Sequence, residues 1–255
     1  VISQALAALL VCITLMKEPD ATHLDLHKLR IDRAMAMEII RIGVPAGLQG
    51  MAFSLSNVVV QSSINSFGSS VIVAGNSASN NIENFVYIGM SAFTQACITF
   101  TSQNVGAQNL KRVKSIFNHS MVLTTLSAML MGFLVWFFGE SLLAFYTSDP
   151  AVVEAGMLRL FWVSMFLFLN GILDVFVSSL RGMGYSSLPT IVMLVGICGV
   201  RLLWLLLIFP MHRTLTTIYL CFPLSWTITS VVLGFIWLYC YRHMLRTNGQ
   251  QAQNA

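Results

Sequence analysis

Charged side chains are scarce in this chain. Only 9% of its 255 residues are Asp, Glu, Lys or Arg, whereas about a quarter of an ordinary soluble domain is charged. Hydrophobic residues make up 56% of the chain, and a water-soluble fold of that composition could not cover its surface with charge. The sequence therefore predicts an integral membrane protein of the all-α class.

Recognisable catalytic and metal-binding motifs are also missing from the sequence. The five cysteines are far apart and form no CxxC pair, and the chain contains neither HExxH nor GxSxG. His23, Asp25 and His27 resemble a run of metal ligands, but Asp25 would point away from both histidines in a helix. We therefore predict no catalytic residue, no metal site, no cofactor and no enzymatic activity.

Six long apolar segments are present instead. Each is long enough for a helix that crosses the hydrocarbon core of a bilayer, which takes about 20 residues. These segments are 42–67, 71–101, 116–139, 155–180, 188–209 and 215–241. Residues 1–16 are apolar but too few to span, so we interpret them as the end of a truncated transmembrane helix. We expect residues 17–41 to form a cytoplasmic amphipathic linker, and residues 242–255 a cytoplasmic tail.

The formal net charge of +4 lies mostly on one side of these segments. Eleven of the fourteen Lys and Arg residues fall on that side, which the positive-inside rule identifies as cytoplasmic. Orientation in the lipid bilayer explains the excess, so no nucleic-acid partner is predicted. The same rule predicts a cytoplasmic C-terminus, and it places Arg181 in a cytoplasmic loop and Arg159 near the outer end of a span.

Polar side chains recur at the helical period on one face of three of the predicted helices. A charge at mid-bilayer costs at least ~2.5–3.5 kcal/mol, so such residues face a bundle interior or a water-filled cavity. We therefore predict one shared cavity that binds a substrate or a cation. Its predicted lining residues are Asn57 and Gln61 in the first span, Asn76, Asn80, Glu83 and Tyr87 in the second, and Asn170 and Asp174 in the fourth.

Interhelical hydrogen bonding without any transport role is the alternative explanation for buried polar groups. We favour it for hydroxyls such as Ser54 and Ser63. For Glu83 and Asp174 we favour function, because a carboxylate is costlier to bury and can take up H⁺ or coordinate Na⁺. Arg201 lies within a span, where it could pair with one of these acids or extend towards the outer interface.

Two motifs are similar to those of a known family. They are "QNVGAQNLKRVK" at 103–114 and "LRGMGYSSLP" at 180–189, and the longer stretch "GVPAGLQGMAFSLSNVVVQSSINSFGSSVIVAGNSASNNIENF" precedes them. From about Ile42 to Tyr241 the chain resembles the second half of a multidrug and toxic compound extrusion (MATE) transporter. The resemblance implies a six-helix lobe, spans seven to twelve of a polytopic protein of the bacterial inner membrane. It implies as partners a missing N-terminal six-helix lobe and a small organic substrate.

The sequence departs from one branch of that family. In the NorM-like branch, acids on spans seven, eight and ten form a cation site in this lobe. Here Asn57 and Gln61 occupy the span-seven face. On span ten, Asn170 stands at the expected position, and Asp174 lies one turn later. The chain therefore resembles more closely the DinF-like bacterial branch, in which the coupling acids lie in the N-terminal lobe.

The resemblance implies the C-terminal half of a secondary active efflux transporter. Such a transporter exchanges H⁺ or Na⁺ for organic, often cationic, compounds such as drugs. Two alternatives are a lipid-linked oligosaccharide flippase of the same superfamily and a structural membrane subunit. The flippase would need a cationic cavity for pyrophosphate, whereas the predicted lining is neutral and acidic. A structural subunit would not explain a carboxylate and several amides that face one cavity.

Overall fold

The computed structural model describes residues 2–17, 30 and 32–253, which form two compact units, Val1–Gly43 and Val44–Ala255. In the first unit, helix α1 (Ile2–Lys17) buries none of its side chains. Asp32 caps the next helix, because its carboxylate accepts hydrogen bonds from the backbone N–H groups of Ala34 and Met35 at 2.8 and 3.2 Å. Most of the predicted linker, with the HLDLH run, lies outside the described residues.

The second unit contains the helix that Asp32 caps, from Val44 onward, and all the helices that follow it. In chain order, the helices after α1 are α2 (Arg33–Asn65), α3 (Ser70–Gly106), α4 (Leu110–Phe137), α5 (Gly139–Ala144), α6 (Pro150–Arg159), α7 (Leu167–Gly182), α8 (Ser187–Met193), α9 (Val200–Leu207) and α10 (Leu215–Gln253). The part of the chain that the structure describes contains no β-strand, and the predicted all-α class is confirmed.

Two helices extend beyond their predicted boundaries. α2 begins at Arg33, so residues 33–41, which were assigned to the linker, belong to the same helix as the first predicted span. The stretch is rich in Ala, Met and Arg, which favour helix, and no proline interrupts it. α10 continues to Gln253, well past position 241. An apolar window therefore indicates where a helix can cross the bilayer and not where the helix ends.

Four described helical stretches are long and apolar enough to cross a membrane. They are Leu110–Phe137, Pro150–Gly182, Ser187–Leu207 and Leu215–Arg246. α2 and α3 are not among the stretches found within the described residues. Both helices contain Asn, Gln, Ser and Glu residues, which are less apolar than their neighbours. All six predicted apolar segments are nevertheless helical in the structure.

Two of the membrane-crossing stretches contain a π-helical segment. Leu160–Ser164 (π1) lies between α6 and α7, and Leu194–Gly199 (π2) joins α8 to α9. A π-turn takes more residues than an α-turn, so it rotates the following helix relative to a regular 3.6-residue period. A residue before π1 or π2 and a residue after it therefore lie on different faces, even when a regular helix would place them on the same face.

Glycines fix two features that position the site. A Cβ atom on Gly75 of α3 would lie 2.7 Å from the carbonyl oxygen of Val152, so α3 and α6 can approach closely only with glycine there. Gly184 ends α7 at a φ of 92°, a conformation that favours glycine. Its N–H donates to the Arg181 carbonyl at 2.9 Å, which fixes the last turn of α7 in the LRGMGY motif.

Candidate functional site

A cavity of about 390 Å³ lies within the second unit, between α2, α3, α7 and the segments around π1 and π2. Its size is in the range of pockets that hold small organic ligands. Six of the eight predicted lining residues contribute to its wall. They are Asn57, Asn80, Glu83, Tyr87, Asn170 and Asp174. The three polar stripes therefore meet in space, while their role in binding stays a prediction.

The other two predicted residues lie deeper in the protein. Asn76 is 2% exposed, and its Nδ2 donates to Oε1 of Gln61 at 2.9 Å. Gln61 in turn donates from Nε2 to Oδ1 of Asn65 at 3.0 Å. These amides connect α2 to α3 through side-chain hydrogen bonds and do not line the cavity. Ser54 and Ser63, for which an interhelical role was expected, donate to carbonyls of their own helix.

The most extensive polar contact in the site is an ion pair that the sequence analysis did not foresee. Arg159, the last residue of α6, donates from Nε to Oε1 of Glu83 at 3.0 Å and from Nη2 to Oε2 at 2.7 Å. The two side chains are 6% and 9% exposed. Both carboxylate oxygens of Glu83 are therefore occupied by one guanidinium, in the bidentate geometry that makes such pairs strong.

The amides of the α3 stripe complete the binding of this arginine. Arg159 donates from Nη1 to Oδ1 of Asn76 at 2.6 Å, and from Nη2 to Oδ1 of Asn80 at 3.0 Å. The Phe222 ring centroid lies 5.7 Å from its guanidinium carbon, within the range of a cation–π contact. Three members of the predicted stripe thus hold a cation of the protein itself.

The burial of Arg159 against α3 was not predicted, and its expected position near the outer end of a span stays a prediction. One feature of the sequence indicated this burial: Arg159 is the single charged residue in the apolar stretch "GMLRLFWVSM". A buried arginine needs an acid or several acceptors opposite it, and the α3 stripe offers both. Asn84 was also missed: it lies on the cavity wall beside Glu83, although its neighbours in the stripe were identified.

Asp174 is the second acid of the cavity, and its partners are mostly neutral. Asn170 donates from Nδ2 to Oδ2 of Asp174 at 3.2 Å, and the Tyr87 hydroxyl lies near enough to act on the carboxylate. Within the described residues, no Lys or Arg forms a salt bridge with Asp174, although Arg181 is near enough to act on it electrostatically. Asp174 therefore keeps more capacity than Glu83 for an ion or a ligand.

Arg201, whose position was left open, pairs with neither acid. It is 3% exposed and donates from Nε to Oγ of Ser225 at 3.2 Å. A longer contact of 3.5 Å runs from its Nη1 to Oδ1 of Asn57. Its guanidinium carbon lies 4.3 Å from the centroid of the Phe222 ring. Arg201 thus lines the cavity, and the groups that contact its guanidinium are neutral.

The electrostatics of the cavity differ from the neutral and acidic lining that was expected. Three arginine side chains and two carboxylate side chains contribute to its wall. Arg181 lies in the last turn of α7, lines the cavity and donates from Nη2 to Oε1 of Gln49 at 2.6 Å. Its predicted location on the cytoplasmic side stays a prediction. Arg159 and Arg201 flank π1 and π2, so their direction could not be read from a regular helical period.

Comparison with known proteins identifies the fold. The MatE family model matches residues 45–206. A probable multidrug resistance protein NorM of Thermotoga maritima is 26% identical over 165 residues, which are 65% of this chain and 35% of that protein. The multidrug export protein MepA of Staphylococcus aureus is 24% identical over 190 residues, which are 74% of this chain and 42% of that protein.

Solved structures agree with the family model. A multidrug resistance MATE family transporter in the outward-facing conformation matches with a TM-score of 0.82 at 14% identity, covering 96% of this chain and 55% of that one. The Vibrio cholerae MATE transporter VcmN in its bent form matches with a TM-score of 0.76 at 16% identity, over 88% and 51% of the chains. The chain thus spans about half the length of these structures. Since the MatE model matches more than half of its residues, the chain belongs to the MatE family, as the motifs predicted.

Proposed function

We propose that the chain forms the C-terminal half of a secondary active efflux transporter, which exchanges H⁺ or Na⁺ for small organic compounds. The observation that carries this proposal is the 390 Å³ cavity, in which aromatic, amide and carboxylate side chains converge inside a MatE-family fold. A substrate that sheds its water can find compensating polar groups there. The named multidrug relatives support this function over the flippase alternative.

Asp174 is the acid that we assign to coupling or to cation binding in this half. It lines the cavity, its hydrogen-bond donor is the neutral amide of Asn170, and the neutral Tyr87 hydroxyl lies nearby. A carboxylate held by neutral donors can exchange one bound cation for another, because no fixed guanidinium occupies its oxygens. Exchange results if the coupling ion and a cationic substrate cannot be accommodated at Asp174 together.

Glu83 has a different role in this proposal. Its two oxygens already accept hydrogen bonds from Arg159, so an ion or substrate would have to displace a buried bidentate arginine. We assign the pair to holding α3 against α6 and to keeping the cavity wall in place. Asn57, Asn80 and Tyr87 remain in the wall as polar and aromatic contacts for the substrate.

The coupling energy comes from the ion gradient across the membrane. One charge that moves through 100 mV releases about 2.3 kcal/mol, which corresponds to roughly fifty-fold accumulation of substrate per ion. We propose a second, N-terminal six-helix lobe as the partner, with the cavity opening between the two lobes to each side in turn. The excess of Lys and Arg on one side of the spans favours a cytoplasmic C-terminus. The bacterial origin of the relatives supports a location in the bacterial inner membrane.

Reconstitution tests this proposal directly. Proteoliposomes that hold a two-lobed protein ending in this chain should show efflux of an organic cation dye driven by an H⁺ or Na⁺ gradient. Proteoliposomes that hold the chain alone should show none, because half of the cavity wall is missing. Gradient-independent dye movement in the two-lobed protein would contradict the assignment as an antiporter.

A further inference from the structure

Arg201 has no acidic partner in the part of the chain that the structure describes. We propose that Arg201 and Asn57 bind the anionic group of an organic substrate, a carboxylate or a similar oxyanion, inside the cavity. The inference rests on the proposed transport function and names a substrate class for it. It concerns compounds that carry a negative group on an aromatic or otherwise apolar body.

The charges of the cavity support this inference. Arg159 is neutralised by the bidentate contact with Glu83. Arg181 and Asp174 lie near enough to act on one another. Arg201 is left with the hydroxyl of Ser225, the amide of Asn57 and aromatic rings.

A charge buried to 3% exposure without a counterion is costly in a membrane-spanning protein. An anion that binds next to Arg201 supplies the missing counterion. Because this removes the cost of the unpaired charge, the anion is bound more tightly. A ligand without a negative group leaves this cost in place and gains no charge-assisted contact with Arg201. The cavity is therefore suited to compounds that bring a negative group, even when another part of the molecule is positive.

The guanidinium of Arg201 is oriented before any ligand arrives. Ser225 fixes Nε at 3.2 Å, and the Phe222 ring lies 4.3 Å from the guanidinium carbon. The planar fork of an arginine matches the two oxygens of a carboxylate or phosphate. Asn57 uses its carbonyl oxygen towards Arg201, so its amide N–H groups can donate to the same anion. A site that is oriented in advance loses less entropy on binding.

The surroundings of Arg201 indicate the rest of the ligand. Phe53, Phe222 and Trp226 contribute apolar and aromatic surface to the same cavity. Asp174 lies elsewhere on the wall and can accept a positive group. A zwitterionic aromatic compound would thus meet a cationic site, an aromatic wall and an acid in one cavity of about 390 Å³.

A matched pair of dyes tests the anion site. We would measure binding of a rhodamine with a free carboxylate and of its methyl ester to the full chain in detergent, by fluorescence anisotropy. The free carboxylate is expected to bind at least about tenfold more tightly, because the ester cannot form the charge-assisted contacts. Equal affinity of the two dyes, or binding of neither, would overturn the proposal without any variant.

Variants then assign the preference to a residue. Arg201→Gln should abolish the preference for the carboxylate and leave binding of the ester nearly unchanged or stronger. Arg213→Gln is the control, since Arg213 is exposed and contacts Ser66 away from the cavity. A preference that survives Arg201→Gln would contradict the assignment. Benzoate should displace the carboxylate dye, whereas displacement by short-chain phosphatidylglycerol alone would mean that a lipid headgroup occupies the site.

Efflux measurements separate this inference from the proposed function. If the two-lobed protein transports the ester and the carboxylate dye shows no preferential binding, the transport proposal stands and the anion site does not. If the carboxylate dye binds through Arg201 and no gradient-driven efflux occurs, the anion site stands and the transport proposal fails.

Discussion

Arg159 and Glu83 form a bidentate ion pair between α6 and α3, with donor–acceptor distances of 3.0 and 2.7 Å. The residues lie 76 positions apart, and their close approach depends on Gly75, which lets the two helix backbones meet. Asn76 and Asn80 also accept hydrogen bonds from the guanidinium. From the sequence, the polar stripe of α3 was predicted to line a transport cavity. In the structure, its side chains also bind the buried Arg159.

Glu83→Gln is expected to destabilise the protein by about 3–5 kcal/mol, because it leaves the buried guanidinium of Arg159 without its counterion. Both side chains are less than a tenth exposed, so solvent screens the pair little. The free energy of unfolding can be measured by titrating the detergent-solubilised chain with SDS. Arg213→Gln, at an exposed arginine, should change it by less than about 0.5 kcal/mol.

The double variant Glu83→Gln/Arg159→Gln should cost less than the sum of the two single variants, because it removes both buried charges together. Groups in direct contact commonly show interaction energies of about 0.5–3 kcal/mol in such cycles. Additive effects in the cycle would mean that the ion pair does not form in the membrane protein.

Asp174→Asn is expected to remove the dependence of efflux on the ion gradient in a two-lobed protein ending in this chain. The substitution keeps the size of the side chain and its capacity to accept a hydrogen bond from Asn170, but it removes the negative charge to which we assign ion binding. Dye efflux at several H⁺ and Na⁺ gradients measures this dependence. Glu154→Gln removes an acid from an exposed position and should leave efflux unchanged. Gradient-driven efflux that persists in Asp174→Asn would place the coupling acid elsewhere.

Gly75→Ala should destabilise the protein by about 1–3 kcal/mol, since overpacking forces backbone shifts. The new methyl group would lie 2.7 and 2.8 Å from backbone atoms of Val152 and Gly156, which cannot move as a flexible side chain would. Gly47→Ala is the control, because no atom lies within 4 Å of a Cβ there. In a helix it should be neutral or stabilise by up to about 1 kcal/mol. Equal unfolding free energies for the two variants would contradict the close contact of α3 with α6.

Single cysteines along α3 should report which face lines the cavity. In a background without the five native cysteines, a water-soluble maleimide should label positions 80, 84 and 87, and a bound substrate should protect them. Positions 82 and 86 should stay unlabelled, because Ile82 and Val86 are 6% and 1% exposed within the helical unit. The opposite pattern, measured by mass shift after labelling, would mean that α3 turns another face to the cavity.

The sequence by itself determined the membrane class, the helical segments and the family. Only 9% of the residues are charged, and six long segments are apolar. A water-soluble fold is therefore disfavoured, because so much apolar surface must be covered by lipid or protein. Helical periodicity also brought Asn80, Glu83 and Tyr87 of α3 to one wall, since α3 is a regular helix from Ser70 to Gly106.

Only the tertiary structure decided the partners of the charged residues. Arg159 and Arg201 flank π-helical segments, which rotate the chain away from a regular period, so their directions could not be predicted from spacing. The contact of Arg159 with Glu83 needs two helices that approach at Gly75, a relationship between distant parts of the chain. Local sequence pattern predicts which face of a helix is polar, but the pairing of buried charges depends on which helices pack together.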